Sequence, residues 1–210
     1  NELAREVRSK GWIVYSARTD NGDWDLFLMR PDGSNIRNLT NTPQWSEAAP
    51  RFSPDAKHLL YRRLEKGQII SHDRYGFQGQ LIISRSNGSA PVEFGKTGEF
   101  TWAMWSPDGE QLSCLSLRGI EMVDRKTKKV VRRMSREGIF QQLFWSPDGK
   151  WFCGTANVGG ERWTILRMNA TSGETKVVSK YQNCTPDWFP DSRRVIFSNR
   201  PSGQNGYGWT

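Results

Sequence analysis

The phrase WSPDG occupies residues 105–109 and returns unchanged at 145–149, with looser copies FSPDA at 52–56 and WFPDS at 188–192. Proline fixes φ near the value wanted at the second position of a type I turn, Asp can bond its own backbone, and Gly accepts the positive φ that ends such a turn. A short apolar stretch follows every copy: HLLY, QLSCLSL, KWFCGTA and RRVIFS in turn. Each phrase therefore predicts a β-hairpin whose first strand ends on a large aromatic residue. An aromatic at one fixed point of every unit predicts a wedge between neighbouring units.

Phe52, Trp105, Trp145 and Trp188 are separated by 53, 40 and 43 residues. Periods in this range, built from short strands and turn signals, mark propeller blades. Between the phrases lies a second pattern, clearest in DWDLFLMRPDGSNIRNLT from Asp23, with later copies starting at Gln80, Gly119 and Trp163. It is an apolar strand, a turn and another strand. The unit thus has four strands: A ends on the aromatic, B follows the DG turn, and C and D complete the blade. The expected fold is all-β, a β-propeller of four-stranded antiparallel blades.

The combination of WSPDG, an apolar B strand, a C strand such as DLFLMRPDG and a D strand ending in NLT resembles the TolB-like family of WD-repeat-related β-propellers. The likeness covers residues 11–210, with 1–10 expected as a tail or the end of a helix. About four and a half blades can be counted, where the resemblance implies about six or seven. Residues 11–210 are accordingly expected to be an incomplete propeller from a longer chain, a closed five-bladed form being the alternative. The resemblance implies a periplasmic or secreted scaffold that binds protein or peptide. It equally admits the propeller part of an enzyme, either the gate of a prolyl-oligopeptidase-type peptidase or a lyase acting on acidic sugars. Fold alone does not choose between these roles.

Net charge is +8, and the densest basic run is DRKTKKVVRRMSR, with Arg125, Lys126, Lys128, Lys129, Arg132, Arg133 and Arg136. It falls on the C–D hairpin of one blade, where edge strands commonly carry charge against unwanted pairing. Attraction of acidic partners or polyanions is the functional alternative. No aromatic residues interleave with the run, so it does not read as a single-strand nucleic-acid platform, and no nucleic-acid partner is expected. No apolar run reaches the length of a membrane span. Three cysteines, Cys114, Cys153 and Cys184, lie far apart without CxxC spacing, which argues against a disulfide framework or a zinc site.

Propeller geometry puts the A–B and C–D turns on one face and the B–C and D–A loops on the other. On the second face the B-strand ends YSAR, LSLR, FSNR and GTAN align Arg18, Arg118, Arg200 and Asn157. Three arginines so placed can hold carboxylate or phosphate groups, although pairing with an Asp of the next blade explains them as well. Blade two carries an insertion at 64–79, whose tip is His72, Asp73, Arg74 and Tyr75. Long loops on a rigid scaffold concentrate binding residues, so this tip, with Trp45 and the arginines, is the candidate partner surface. His72 beside Asp73 could form an acid/base pair only if the loop brought their side chains together. The G-x-S-x-G, P-loop, H-E-x-x-H and G-x-G-x-x-G signatures are missing, and neither a metal nor a cofactor is expected. The acidic loop TDNGDWD, with Asp20, Asp23 and Asp25, suggests Ca²⁺ by composition but lacks EF-hand spacing.

Overall fold

The SPDG turn is closed three times by the same two side chains. The hydroxyls of Ser53, Ser106 and Ser146 donate to Oδ1 of Asp55, Asp108 and Asp148, each at 2.6 Å. The same hydroxyls accept the N–H of His58, Gln111 and Trp151 at 3.0 Å, pinning the first residue beyond the turn. Residues Ala56, Gly109, Gly149 and Ser192 take the left-handed conformation, with φ of 56°, 72°, 70° and 56°. In the fourth copy Phe189 replaces the serine; Asp191 keeps the N–H two residues on, from Arg193 at 2.9 Å, and accepts from Arg194 Nε at 2.8 Å in place of the hydroxyl. Proline, Asp and Gly were readable as turn residues, whereas the serine's double role was not.

These turns organise a computed structural model that describes residues 2, 5, 9–68, 78–180 and 183–199. From Ile13 onward the elements are seventeen strands, among the described residues, in five consecutive antiparallel sheets. The first sheet holds β1 (Ile13–Arg18), β2 (Trp24–Met29) and β3 (Arg37–Asn38); the second holds β4 (Trp45–Phe52), β5 (His58–Glu65), β6 (Gln80–Arg85) and β7 (Val92–Glu93). The third contains β8 (Thr101–Trp105), β9 (Gln111–Ser116), β10 (Gly119–Asp124) and β11 (Val130–Met134). The fourth contains β12 (Ile139–Trp145), β13 (Trp151–Val158), β14 (Glu161–Asn169) and β15 (Thr175–Ser179), and the fifth β16 (Asn183–Trp188) and β17 (Val195–Asn199). Strand order follows chain order in each sheet, giving the four-stranded antiparallel blades of a β-propeller. Among the described residues three blades are complete; the first shows B, C and D, and the fifth A and B.

The chain divides into two compact units, residues 1–99 and 100–210. In the first, Leu26 of β2 joins Leu59, Tyr61 and Ile82 of the next blade in a buried cluster, with Val14, Leu39 and Phe52 packed against it. Phe52 therefore sits at the boundary between blades, as its place in the repeat predicts. In the second unit Trp188 reaches back to the preceding blade, its Nε1 donating to the Phe144 carbonyl at 3.3 Å. Trp145 instead leans on Phe152 of its own blade, with centroids 4.1 Å apart. Cys114, Cys153 and Cys184 are buried and form no disulfide.

The A strands share a feature that the sequence does not show. Ala49, Trp102, Gln142 and Thr185, each three residues before the blade's aromatic, are left-handed with φ of 54°, 47°, 56° and 50°. Strand register slips at each point, between Ala48 and Arg51, Thr101 and Met104, Gln141 and Phe144, and Cys184 and Asp187. A non-glycine residue in this region costs about 1–2 kcal/mol, so the bulge requires compensation. At Gln142 it is visible: Oε1 accepts the Thr155 hydroxyl at 3.0 Å and the N–H of Thr185, the bulged residue of the next blade, at 2.6 Å. Gly154 opposes this bulge, and a Cβ there would lie 2.7 Å from Ile139 Cγ2.

Removing the turn serine tests this account. Asp108 and Asp148 are held below the usual carboxylate value of 3.8, first by the serine hydroxyl and then by a backbone N–H. A depressed folded value gives stability that is complete above the unfolded value and lost as pH falls through the folded one. Ser106→Ala and Ser146→Ala should each lower unfolding stability at neutral pH by about 1 kcal/mol. The deficit relative to the parent should shrink as the carboxylates protonate. Urea unfolding at neutral and acid pH measures both; a deficit unchanged at acid pH would contradict the charged acceptor.

Candidate functional site

In the first unit the β1–β2 loop is wound around Thr19. Its N–H donates to the Asp23 carbonyl at 2.8 Å and its hydroxyl to Asp23 Oδ1 at 2.5 Å, while the Asn21 N–H reaches the hydroxyl at 3.2 Å. The Thr19 hydroxyl is the main cause holding the Asp23 carboxyl below its ordinary range. This loop meets the second blade directly: the Trp24 N–H donates to Ser46 Oγ at 3.3 Å, and Lys66 Nζ lies 4.0 Å from Asp23 Oδ1. The Lys66 N–H in turn donates to the Gln44 carbonyl at 3.1 Å. B–C and D–A segments thus share one end of this unit, as propeller geometry requires. Arg18 closes β1 opposite Trp24, is exposed, and takes part in no ion pair among the described residues. Trp24 is 37% exposed beside it, and half-buried Trp45 lies next to Ser46.

Beneath this end a polar network joins the two blades. Asp25, fully enclosed, accepts from Asn38 Nδ2 at 2.5 Å, the Thr40 hydroxyl at 3.1 Å and the Thr42 N–H at 3.2 Å. The NLT phrase therefore serves structure, since Asn38 and Thr40 satisfy the buried carboxylate of their own blade. Glu47, also fully buried, accepts through Oε1 from the Thr42 hydroxyl at 2.6 Å and Arg63 Nε at 3.2 Å, while Oε2 meets no donor among the described residues. Arg63 also donates to the Tyr61 hydroxyl at 3.3 Å, and its guanidinium lies 5.7 Å from the Trp45 ring centre. Burial pushes the Glu47 carboxyl up, and the Asp25 charge adds to this against the Thr42 hydroxyl and Arg63.

The sites expected from sequence fall out unevenly. Asp23 and Asp25 turn to different partners, and no group of three His, Cys, Asp or Glu side chains suited to a metal occurs among the described residues. Arg18 lies in the first unit. Arg118 lies in the second, not at a strand end but in the two-residue turn between β9 and β10, where it and its neighbour Leu117 are exposed. Asn157 is inside β13 and accepts the Trp163 N–H at 3.2 Å, a structural task. Arg200 and the loop tip His72, Asp73, Arg74 and Tyr75 lie outside the described residues. Trp24, Glu47, Arg63 and Lys66 escaped the sequence reading. Trp24 could have been noticed as the aromatic that opens a C strand away from the wedge position.

The basic run is partly occupied by internal contacts. Arg125 and Lys126 lie 3.7 and 3.0 Å from Glu110. Arg132 donates to the carbonyls of Ala170 and Thr171 in the next blade at 2.8 and 2.6 Å, and Arg133 Nε to buried Glu121 at 2.8 Å. Lys128 and Lys129 are exposed. Among the described residues no helix is long and apolar enough to cross a membrane.

No family model matches the chain. An uncharacterized protein of Agrobacterium fabrum strain C58 is 25% identical in an alignment that covers 77% of this chain and 68% of that protein. The TolB structure from Acinetobacter baumannii matches with a TM-score of 0.73 at 22% identity, covering 94% of this chain and 49% of that one. Oligogalacturonate lyase from Vibrio parahaemolyticus matches with a TM-score of 0.59 at 16% identity, covering 85% and 52%. The chain therefore spans about half the length of these solved structures. The likeness identifies the fold as a TolB-like β-propeller.

The raised carboxyl of Glu47 has a measurable sign. A folded value above the unfolded 4.5 favours the protonated form, so its stabilisation is complete below 4.5 and is lost as pH rises through the folded value. Glu47→Gln keeps an acceptor for Thr42 and cannot ionise. The variant should lose the decline in stability that the parent shows on leaving acid pH, as read by thermal melts across that range. A slope identical to the parent's would mean that Glu47 is ionised in the fold without strain.

Proposed function

We propose that this TolB-like propeller is a binding scaffold, taking up a protein or peptide partner at the B–C end of its first unit. The observation that carries this reading is Trp24, exposed at the start of β2 beside an Arg18 that has no internal ionic partner among the described residues. Tryptophan offers large contact area at low entropic cost, and arginine offers a planar fork of donors; both are enriched where binding energy concentrates. Trp45 and Lys66 border the pair, and the insertion carrying His72, Asp73, Arg74 and Tyr75 springs from the same end. The resemblance favours the periplasm or the exterior as the place of action.

A second reading is a lyase acting on acidic sugars, favoured by the fold shared with oligogalacturonate lyase and by the Trp24–Arg18 pairing, which suits a sugar ring carrying a carboxylate. The test uses the full-length protein with Trp24→Ala and Arg18→Glu combined, and separately with 72–75 replaced by alanine. Chemical cross-linking in native extract should capture a partner with the parent, and the paired variant should reduce capture about tenfold. Undiminished capture would reject the site. Release of unsaturated oligogalacturonate by the parent, lost in the paired variant, would replace the scaffold reading with the lyase.

A further inference from the structure

β11 stands at the end of the strand order β11-β10-β9-β8, with one edge bonded to β10 and the other meeting no strand among the described residues. An open edge of this kind is a template for a further strand. Among the D strands it is distinctive: β3 and β7 have two residues each, and β15 matches its length of five but carries a single cation, Lys176. On β11 Val130 and Val131 are 39% and 55% exposed, and Val131 is the extra residue where register with β10 slips. Around them stand Lys126, Lys128, Lys129, Arg132, Arg133 and, just beyond, Arg136.

Cations and a bulge are the usual guard of an edge, but the guard has a sign. A second copy of the same basic strand is repelled, whereas an acidic strand is attracted by the same groups, so the charge acts as a selector. Two arginines are already held in place. Arg132 is anchored on two neutral carbonyls of the next blade and forms no ion pair among the described residues, and Arg133 is fixed through Nε by Glu121 with 43% of its side chain exposed. We infer that the outer edge of β11 is an acceptor for an extended acidic peptide, which adds as a further antiparallel or parallel strand. The backbone supplies the hydrogen bonds, and the lysines and arginines supply the selection. This site lies in the second unit and does not depend on the first-unit scaffold reading.

The experiment titrates the protein with a short fluorescent peptide of alternating Glu and Val, followed by anisotropy. Comparison peptides replace Glu by Gln, or carry N-methyl groups on alternate backbone nitrogens, and an oligo-dT strand serves as a plain polyanion. The Glu–Val peptide should bind about tenfold more tightly than either altered peptide, and Lys126→Glu with Lys129→Glu should weaken it by about the same factor. Lys129→Glu alone, on an exposed side chain, gives a milder loss if the double variant is unstable. Hydrogen exchange at residues 130–134 should slow in the complex. Equal binding of the N-methylated peptide would reduce the edge to a charged surface and overturn strand addition. Oligo-dT binding at equal affinity, equal binding of the Gln peptide, protection elsewhere, or no binding would each overturn the proposal as well.

Discussion

Every complete hairpin in this chain depends on where its A strand stops and its B strand starts, and a serine–aspartate contact of 2.6 Å fixes that point three times. The contact works because one hydroxyl donates to the carboxylate while accepting the N–H that begins the next strand, so the turn and the first ladder bond are set together. Away from the bulges register is strongly specified, since moving the pairing by one residue exchanges every side chain between faces. The aromatic directly before the serine is thereby placed in the same position of each blade. Phe52 then reaches the core at the boundary of two blades.

Blade cohesion also draws on buried polar links. Gln142 joins the bulges of two consecutive A strands, and Arg132 joins a D strand to the following C–D turn. In the first unit Thr42 bonds Asp25 of one blade through its N–H and Glu47 of the next through its hydroxyl. Polar groups of this kind stabilise only when their partners are in place, so they specify which neighbour a blade accepts. Such matching is what a repeat chain requires if similar blades are to stack in order.

Much of this architecture was legible in sequence because it rests on local chemistry. The SPDG turns, the aromatic before each, and the apolar runs in WDLFLM or QLIISR dictate hairpins without reference to distant residues. The A-strand bulges were not legible: Ala49, Trp102, Gln142 and Thr185 share no residue type, and what places them is the fit of one blade against the next. Nor was the first-unit site. Asp25 and Glu47 are separated in sequence and approach only when two blades meet, and Asn38 and Thr40 gave a family-like phrase without revealing that a buried carboxylate requires them. The alignment of Arg18 with Arg118 illustrates the converse, since equal spacing from an apolar run put one at a strand end and the other in a turn.

Two buried glutamates, one in each unit, show how an arginine beside them is held in place. Glu47 and Arg63 are cross-strand partners in β4 and β5, and Glu121 and Arg133 are cross-strand partners in β10 and β11. In both pairs the carboxylate grips the arginine through Nε, at 3.2 and 2.8 Å, from below. A side-on grip leaves terminal guanidinium nitrogens directed elsewhere: Arg63 uses one on Tyr61, and Arg133 remains 43% exposed. Arginine normally loses much rotamer freedom when it binds, and a buried counter-charge removes part of that loss in advance. Buried Glu121 thus holds the Arg133 charge at the edge of the sheet, where an incoming acidic strand would meet it already oriented.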